Sequence, residues 1–526
     1  MAGGLLNLIS EGQQNIILNG NPSKTFFKTT YSKYTNFGLQ KFRVDFEGSK
    51  TLRLNEDSVF TFKIPRYADL LVDCYLSVDL PNIWSSILEL NNQDVPYEFK
   101  WITNLGAQMI RQITITCGNQ KIQEYSGSYI LACVQRDFTS EKKNLFDEMT
   151  GNTTELNNPS QFGTNQGYYP NAVYDPVKSE PSIRGRTLYI PLNSWFQLRS
   201  QMAFPMVSLQ YNELFITITM RPINELFQIR DINDSTNNYP YVAPNFNNEL
   251  MQFYRFLQPP PSSPQTSLLD ANSYTDKRTI WNSDIHLNCT YVFLSNDEAR
   301  LFSANEQKYL FRQVKETPFY NVTGSNKINI ESIGLVSNWM FYFQRSDSNL
   351  RNEWSNYTNW PYNYPPFELI DIGTGTYKRT PSYNSENVKN ILLTLGILLD
   401  GQYRENMQPA GVYNYIEKYT RTPSNAPDGL YCYNFCINTS PYDLQPSGAL
   451  NTNRFTVIEF EFNTMVPPLD NYAQTLQICD PTTGAIVGIN KPTWRIYKYN
   501  YNLVLFEERI NIITFIGGNA GLMYAT

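Results

Sequence analysis

Apolar and polar residues alternate with a period of two in short runs spread along the chain, and this pattern narrows the possible folds more than any other feature. Phe60, Phe62 and Ile64 fall on one side of such a run, and Cys74, Leu76, Val78 and Leu80 on one side of the next. Ile113, Ile115 and Cys117 repeat it, as do Leu214, Ile216, Ile218 and Met220, with Thr at most of the intervening positions. Successive side chains of an extended chain point to opposite faces, so each run predicts a strand with one face in a core and the other towards water. β-branched Thr suits the second face. Helical spacing is scarce. The best candidate starts at Ser295, where Ser295 and Glu298 form an S-x-x-E capping box ahead of Leu301, Phe302 and Tyr309. It is expected to cover one end of a sandwich. The chain therefore reads as all-β with few short helices.

The runs come in two batches. The first ends near Arg221 and Pro222, after which residues 227–284 turn polar and Asn-rich and carry the stiff run Pro259-Pro260-Pro261-Ser262-Ser263-Pro264. The second batch comprises Leu287 to Leu294, Val336 to Gln344, Ile458-Phe460-Phe462, and Tyr497 to Leu505. A length of 526 residues accommodates two large sandwiches. The expected division is a polar arm over 1–28, one β domain over 29–226, a linker or insertion over 227–284, and a second β domain over 285–526. The most apolar run, Ile391 to Leu399, has about half the ~20 residues of a membrane-spanning helix, so it reads as core. The stretch from Trp354 to Tyr383 is longer than any tight hairpin needs and is expected to be a long, function-bearing loop.

Several functional classes are disfavoured. With hydrophobic residues at 41% and charged residues at 17%, the chain can bury a large core, so disorder is not expected. The aromatic share of 14% suits strands and interfaces. A net charge of −6 and a pI near 5.2 argue against a chain whose task is to neutralise phosphates, and no direct sequence-specific nucleic-acid binding is expected. Cys74, Cys117, Cys133, Cys289, Cys432, Cys436 and Cys479 are dispersed, and reduced thiols in an intracellular compartment are the simpler reading. The first ten residues lack a secretion signal, and Ala2 stands where N-myristoylation needs Gly.

Chemistry has few places to reside. His286 is the only histidine, so any histidine-based triad or metal site would have to be built on it alone, and a strand-edge residue is the plainer reading. Cys432 and Cys436 are spaced to share one strand face, with no further ligands at zinc-site spacing. Gly373-Thr374-Gly375 and Gly517-Gly518-Asn519-Ala520-Gly521 lack the context of phosphate loops and read as turns. No catalytic residue, cofactor or metal is expected. Sequons begin at Asn152, Asn233, Asn288, Asn321, Asn356 and Asn438, a number that chance alone would roughly supply in so Asn-rich a chain. Asn288 lies in a predicted strand, which leaves Asn152, Asn233, Asn321, Asn356 and Asn438 as possible glycan acceptors.

Two ends of the chain carry a resemblance. Gly20-Asn21-Pro22-Ser23-Lys24-Thr25-Phe26-Phe27-Lys28, followed by Tyr31 and by Tyr34-Thr35-Asn36-Phe37, resembles the opening of the major capsid proteins of nucleocytoplasmic large DNA viruses. Leu444-Gln445-Pro446-Ser447-Gly448, with Asn453-Arg454-Phe455 beyond it, is similar to a QPSG segment of that family, and Tyr499-Asn500-Tyr501-Asn502 to Gly521-Leu522 to its closing strand and tail. Tyr291-Val292-Phe293-Leu294 resembles the start of its second domain. The departures are the stretch from Asp231 to Thr279 and the loop near Trp354.

The resemblance implies a double jelly roll, two eight-stranded antiparallel sandwiches in tandem with long loops, and a homotrimer acting as a pseudo-hexameric capsomer in the shell of an icosahedral virus. It implies neighbouring capsomers, minor capsid and penton proteins and an inner viral membrane as partners, and assembly in the host cytoplasm. Asn21, Pro22, Phe26, Phe27, Tyr34 and Phe37 would belong to an arm that orders on assembly, the alternative being a docked first strand. Gln445, Pro446, Ser447 and Gly448 would be a trimer contact, the alternative being a turn before a strand. Two other readings stay open: a minor or vertex-associated double jelly roll, and a carbohydrate-binding or carbohydrate-active sandwich.

Overall fold

The computed structural model describes residue 4 and residues 12–524, except 86, 91–92, 166, 173–178, 235, 238, 261–273, 364–387, 472, 474–475 and 491–495. The expected turn at Gly373-Thr374-Gly375, the later part of the proline run and most of the first ten residues lie outside the described residues.

Eight principal strands build the sandwich of the first half: β1 (Phe37–Asp45), β2 (Ser58–Ile64), β3 (Leu70–Asp79), β4 (Ile110–Cys117), β5 (Gln120–Tyr125), β6 (Thr187–Pro191), β7 (Leu214–Met220) and β8 (His286–Leu294). The first pairs with the eighth, the second with the seventh, the third with the sixth and the fourth with the fifth, all antiparallel. Such an antiparallel ribbon wraps into two facing sheets, with strand orders β1-β8-β3-β6 and β2-β7-β4-β5. That winding is a jelly roll. The alternating runs behave as expected: Ser58, Phe60, Phe62 and Ile64 of β2 are buried while Val59, Thr61 and Lys63 face water.

The second half repeats the winding with β9 (Gln307–Phe319), β10 (Ser325–Asn329), β11 (Leu335–Arg345), β12 (Leu392–Leu399), β13 (Gln402–Pro409), β14 (Leu430–Asn434), β15 (Ile458–Thr464) and β16 (Tyr501–Ile516). Again first pairs with eighth, second with seventh, third with sixth and fourth with fifth. The sheets run β9-β16-β11-β14 and β10-β15-β12-β13. Two-residue strands at Phe204–Pro205 and Leu450–Asn451, and Asn519–Leu522 paired back on β16, extend the larger sheets beyond four strands. The protein is thus an all-β double jelly roll.

One expectation about the division of the chain is corrected. β8, expected to open the second domain from residue 285, lies between β1 and β3 and closes the first sandwich, with Phe37 opposite Leu294 and His286 opposite Ser77. Of the two readings of residues 227–284, a linker between domains or an insertion, the described residues fit the insertion: between β7 and β8, Phe227–Arg230 pairs with Phe99–Trp101 and with Tyr241–Val242. Phe227, Phe253 and Phe256 are buried in the first core, and the Phe99 and Phe227 rings stack 4.6 Å apart. Local periodicity reveals that a strand exists but not which sheet claims it, because pairing partners lie far away in sequence.

Helices are few and short. Ser126 caps α1 (Gly127–Asp137), its hydroxyl accepting from the Tyr129 N–H at 3.2 Å, and α2 (Ser140–Thr150) follows. The expected helix is present as α3 (Asn296–Ala304) with Ser295 at its N-cap, but the Ser295 side chain makes no capping bond. The predicted capping box therefore does not close, and Tyr309 belongs to β9 instead.

The halves share a core. Trp339, Phe341 and Phe343 of β11 point into the second sandwich, while Met340 and Tyr342 pack with the first core, joined there by Phe311 of β9 and Phe506 and Phe515 of β16. The larger sheet of the second half is therefore covered on both faces, which is why residues 336–343 read as an almost unbroken buried run.

Candidate functional site

A buried ionic network lies at the seam between the sandwiches. Arg136, at the end of α1, has no solvent exposure. Its Nη2 lies 2.7 Å from Asp137 Oδ2 and 3.0 Å from Glu508 Oε1 on β16, and its Nη1 donates to Asn338 Oδ1 on β11 at 2.7 Å. Asn338 Nδ2 donates to Glu508 Oε2 at 2.7 Å, and the Tyr129 hydroxyl donates to Glu508 Oε1 at 2.9 Å. Arg312 of β9 reaches Glu508 Oε2 at 3.3 Å and donates to the carbonyls of Thr439 and Ser440 at 2.6 and 2.9 Å. Thr439 Oγ1 donates to Asp137 Oδ1 at 3.0 Å. Two guanidinium groups thus meet two carboxylates, so the buried charges cancel.

Burial by itself would push the Glu508 carboxyl up, but Arg136 and Arg312, with Asn338 and Tyr129, hold it down at about 2. An ionised, fully bonded glutamate inside the protein can pin two bodies together but is poorly suited to proton transfer near neutrality. None of these residues belonged to the expected site. The available signal was the charged triplet Glu507-Glu508-Arg509 inside an otherwise uncharged strand.

The segment Gln445–Gly448 borders this seam. It helps line a cavity of about 90 Å³ whose walls include Tyr125 and Trp195 from the first half and Phe311, Cys436 and Pro446 from the second. Ser447 Oγ donates to the Asn438 carbonyl and accepts from the Asn438 N–H, both at 3.0 Å. Gly448 has φ of 143°, and a Cβ there would lie 3.0 Å from the Phe435 carbonyl oxygen, so glycine is required. Gln445 is exposed. The segment is therefore clamped to its own chain on one side and open on the other.

The arm residues lie away from any core. Asn21, Pro22, Tyr34 and Phe37 are exposed, and Phe26 and Phe27 are 88% and 99% exposed, with the Lys24 ammonium 5.2 Å from the Phe26 ring. Phe37 opens β1. Among the sequons, Asn233, Asn321 and Asn438 are exposed. Asn356 is corrected as a glycan acceptor: it is buried, its Nδ2 donates to the Trp360 carbonyl at 2.8 Å and its Oδ1 accepts from Thr358. Asn152 is half-buried and also spends both ends of its amide, on Asp147, Asn104 and Asn157.

His286 is not at a sheet edge, because β8 is paired on both sides there; its Nδ1 lies 2.6 Å from the Asp284 carbonyl oxygen. The Cys74 and Cys289 sulfurs lie 3.2 Å apart on β3 and β8, and burial raises the Cys74 and Cys133 thiols well above their ordinary range and Cys432 to about 11. Such thiols stay protonated and are poor nucleophiles. Among the described residues no cluster of three or more His, Cys, Asp or Glu side chains could hold a metal ion, and no described helix is long and apolar enough to cross a membrane.

Twin sandwiches of the same winding, pinned by a charge-neutral joint, define a double jelly-roll protein that leaves aromatic segments bare at its surface. Residues 25–288 match the family described as major capsid protein N-terminus, and residues 298–521 match large eukaryotic DNA virus major capsid protein. The chain belongs to this family of viral major capsid proteins. It is 24% identical to the major capsid protein of Chrysochromulina ericina virus and 22% identical to that of Paramecium bursaria Chlorella virus 1, each over the full length of both chains. Among solved structures it is similar to VP54 of PBCV-1, with a TM-score of 0.61 and 18% identity over 95% of this chain and all of that one. It is also similar to the Faustovirus major capsid protein, at 0.60 and 11% over 97% and 98%. Those likenesses carry the fold. The protein is a structural component of the virion capsid and not an enzyme.

Proposed function

We propose that three copies of this chain close into a pseudo-hexameric capsomer, and that such capsomers tile the shell of a large icosahedral DNA virus assembled in the host cytoplasm. The observation that carries this reading is the repeat within the chain: two sandwiches with the same strand winding, joined through one buried ionic network. Two similar bodies per chain around a threefold axis give six nearly equivalent corners, which one gene product can use to tile a surface. The contacts within the trimer are expected to bury well over ~2,000 Å² around aromatic anchors, while capsomer edges are smaller and more polar. Many weak edges then add up through multivalency and can be corrected as the shell grows.

In this reading the arm from Asn21 to Tyr34 becomes ordered against a neighbour, with Phe37 anchoring it at the start of β1, and the open side of Gln445–Gly448 faces the trimer contact. Minor capsid and penton proteins meet the rim, and an inner membrane lies beneath. Exposed Asn233, Asn321 and Asn438 remain candidates for sugar; finding them unmodified in peptides from virions removes that role. Native mass spectrometry tests the central claim: a stable species at three times the 60.9 kDa chain is expected, and a monomer or dimer overturns it. Deleting the residues before Phe26 is expected to impair capsid formation; normal capsids from the shortened chain overturn the role of the arm.

A further inference from the structure

Between β15 and β16 the chain carries a small sheet of its own, Leu476–Cys479 paired with Ile486–Asn490, which joins no other strand among the described residues. Ile478 lies opposite Gly488 and Ile486 opposite Cys479, with a register shift at Val487 between the two pairs, so Ile478 projects from one face and Ile486 and Ile489 from the other. Ile478, Ile486, Val487 and Ile489 are open to solvent, at 51%, 60%, 69% and 62% exposure. The hairpin is therefore apolar on both faces. An isolated two-stranded hairpin is marginal in water, and soluble chains normally guard such edges with charge or proline. From Leu476 to Asn490 the single charged residue is Asp480, and its carboxylate is engaged within the turn, accepting from the Thr482 N–H at 2.8 Å.

The distribution of polarity indicates what covers it. A loop that enters a bilayer needs an apolar tip, and one that meets phosphates or anionic headgroups needs lysine or arginine. Here the tip, Asp480-Pro481-Thr482-Thr483-Gly484, is polar, the apolar residues lie along both strands, and no cation is present. That pattern suits sideways packing between protein surfaces. A ring closed by a threefold axis uses heterologous contacts, in which a projecting patch on one copy meets a different patch on the next. We propose that the hairpin Leu476–Asn490 is the interlocking element that each copy lays onto a second copy of this chain. The inference rests on the trimer reading above and names a part of it.

The test uses the full-length chain and its Val487→Glu, Ile489→Glu double variant, compared by native mass spectrometry and by hydrogen exchange of the hairpin amides. The expected result is a wild-type trimer with protected hairpin amides, and a variant with unchanged far- and near-ultraviolet circular dichroism whose trimer dissociates at least a hundredfold more readily. Should the glutamates prevent folding, Val487→Ser with Ile489→Ser is expected to weaken the trimer in the same direction by a smaller factor. Trimers as tight as wild type in a folded variant overturn the inference while leaving the trimer reading intact. A wild-type monomer overturns both. A variant that keeps its trimer but no longer floats with phosphatidylcholine vesicles that capture the wild type also overturns the inference, and marks the hairpin as a lipid contact.

Discussion

Arg136 and Glu508 show what a single pair of residues can decide in a protein of this size. Removing one partner of a buried ion pair strands the other charge, which typically costs about 3–5 kcal/mol, far more than any surface pair is worth. Arg136→Met is therefore expected to lower stability by that amount, read from the guanidinium unfolding midpoint. The same joint predicts a pH dependence. Because the Glu508 carboxyl sits at about 2 in the folded chain against an ordinary 4.5, its contribution is complete above pH 4.5 and is lost as pH falls towards 2. Glu508→Gln is expected to be destabilised at neutral pH and to show a shallower loss between pH 4.5 and 2 than wild type, measured by denaturant unfolding across that window. Ser447→Ala removes two hydrogen bonds to the Asn438 backbone, and about 1–2 kcal/mol should be lost together with faster hydrogen exchange at Asn438. Sequence reasoning singled out Ser447 through its neighbours but missed Arg136 and Glu508, since a charge in an apolar run reveals its partner only once distant strands are in register.

Strands were easier to anticipate than helices. β2, β4 and β7 follow the alternation that predicts them, because each has one face in a core and the other at least partly open, whereas β3 has no exposed position and keeps the pattern only at Cys74, Leu76 and Val78. β11 departs from alternation, being covered on both faces, and its length and apolar run still mark it. Helices α1 and α2 escaped notice. α2 has few apolar positions, while the unbroken apolar run Tyr129 to Val134 of α1 does not by its period tell helix from strand, and a close approach helps to seat α1. A Cβ on Gly127 would lie 1.8 Å from the Ala107 carbonyl oxygen and 2.5 Å from that of Ile110, and backbone cannot step aside. Gly127→Ala is accordingly expected to cost at least about 3 kcal/mol, or to yield insoluble chain, with the melting temperature of any soluble fraction as the measurement.

The two sandwiches form one cooperative body. Tyr309, Phe311, Met340, Tyr342, Phe506 and Phe515 of the second half are buried in the core of the first, so separating the halves would expose a broad aromatic face. Residues 1–294 and 295–526 expressed apart are expected to aggregate and to recover solubility when co-expressed, assayed by size-exclusion chromatography. The intact chain is expected to melt in a single calorimetric transition. What could be known from the order of residues alone was the all-β class, the presence of two strand batches and, through the motifs at Asn21–Phe37 and Gln445–Gly448, the capsid family. Those are properties of local pattern, composition and short motifs. Strand partnership, the placement of β8 in the first sandwich, the packing of Phe227, Phe253 and Phe256 into the first core, the buried Asn356 and the charged joint at the seam belong to the folded chain. Each depends on contacts between residues far apart in sequence, and a period-two pattern is equally satisfied by any sheet that offers an edge.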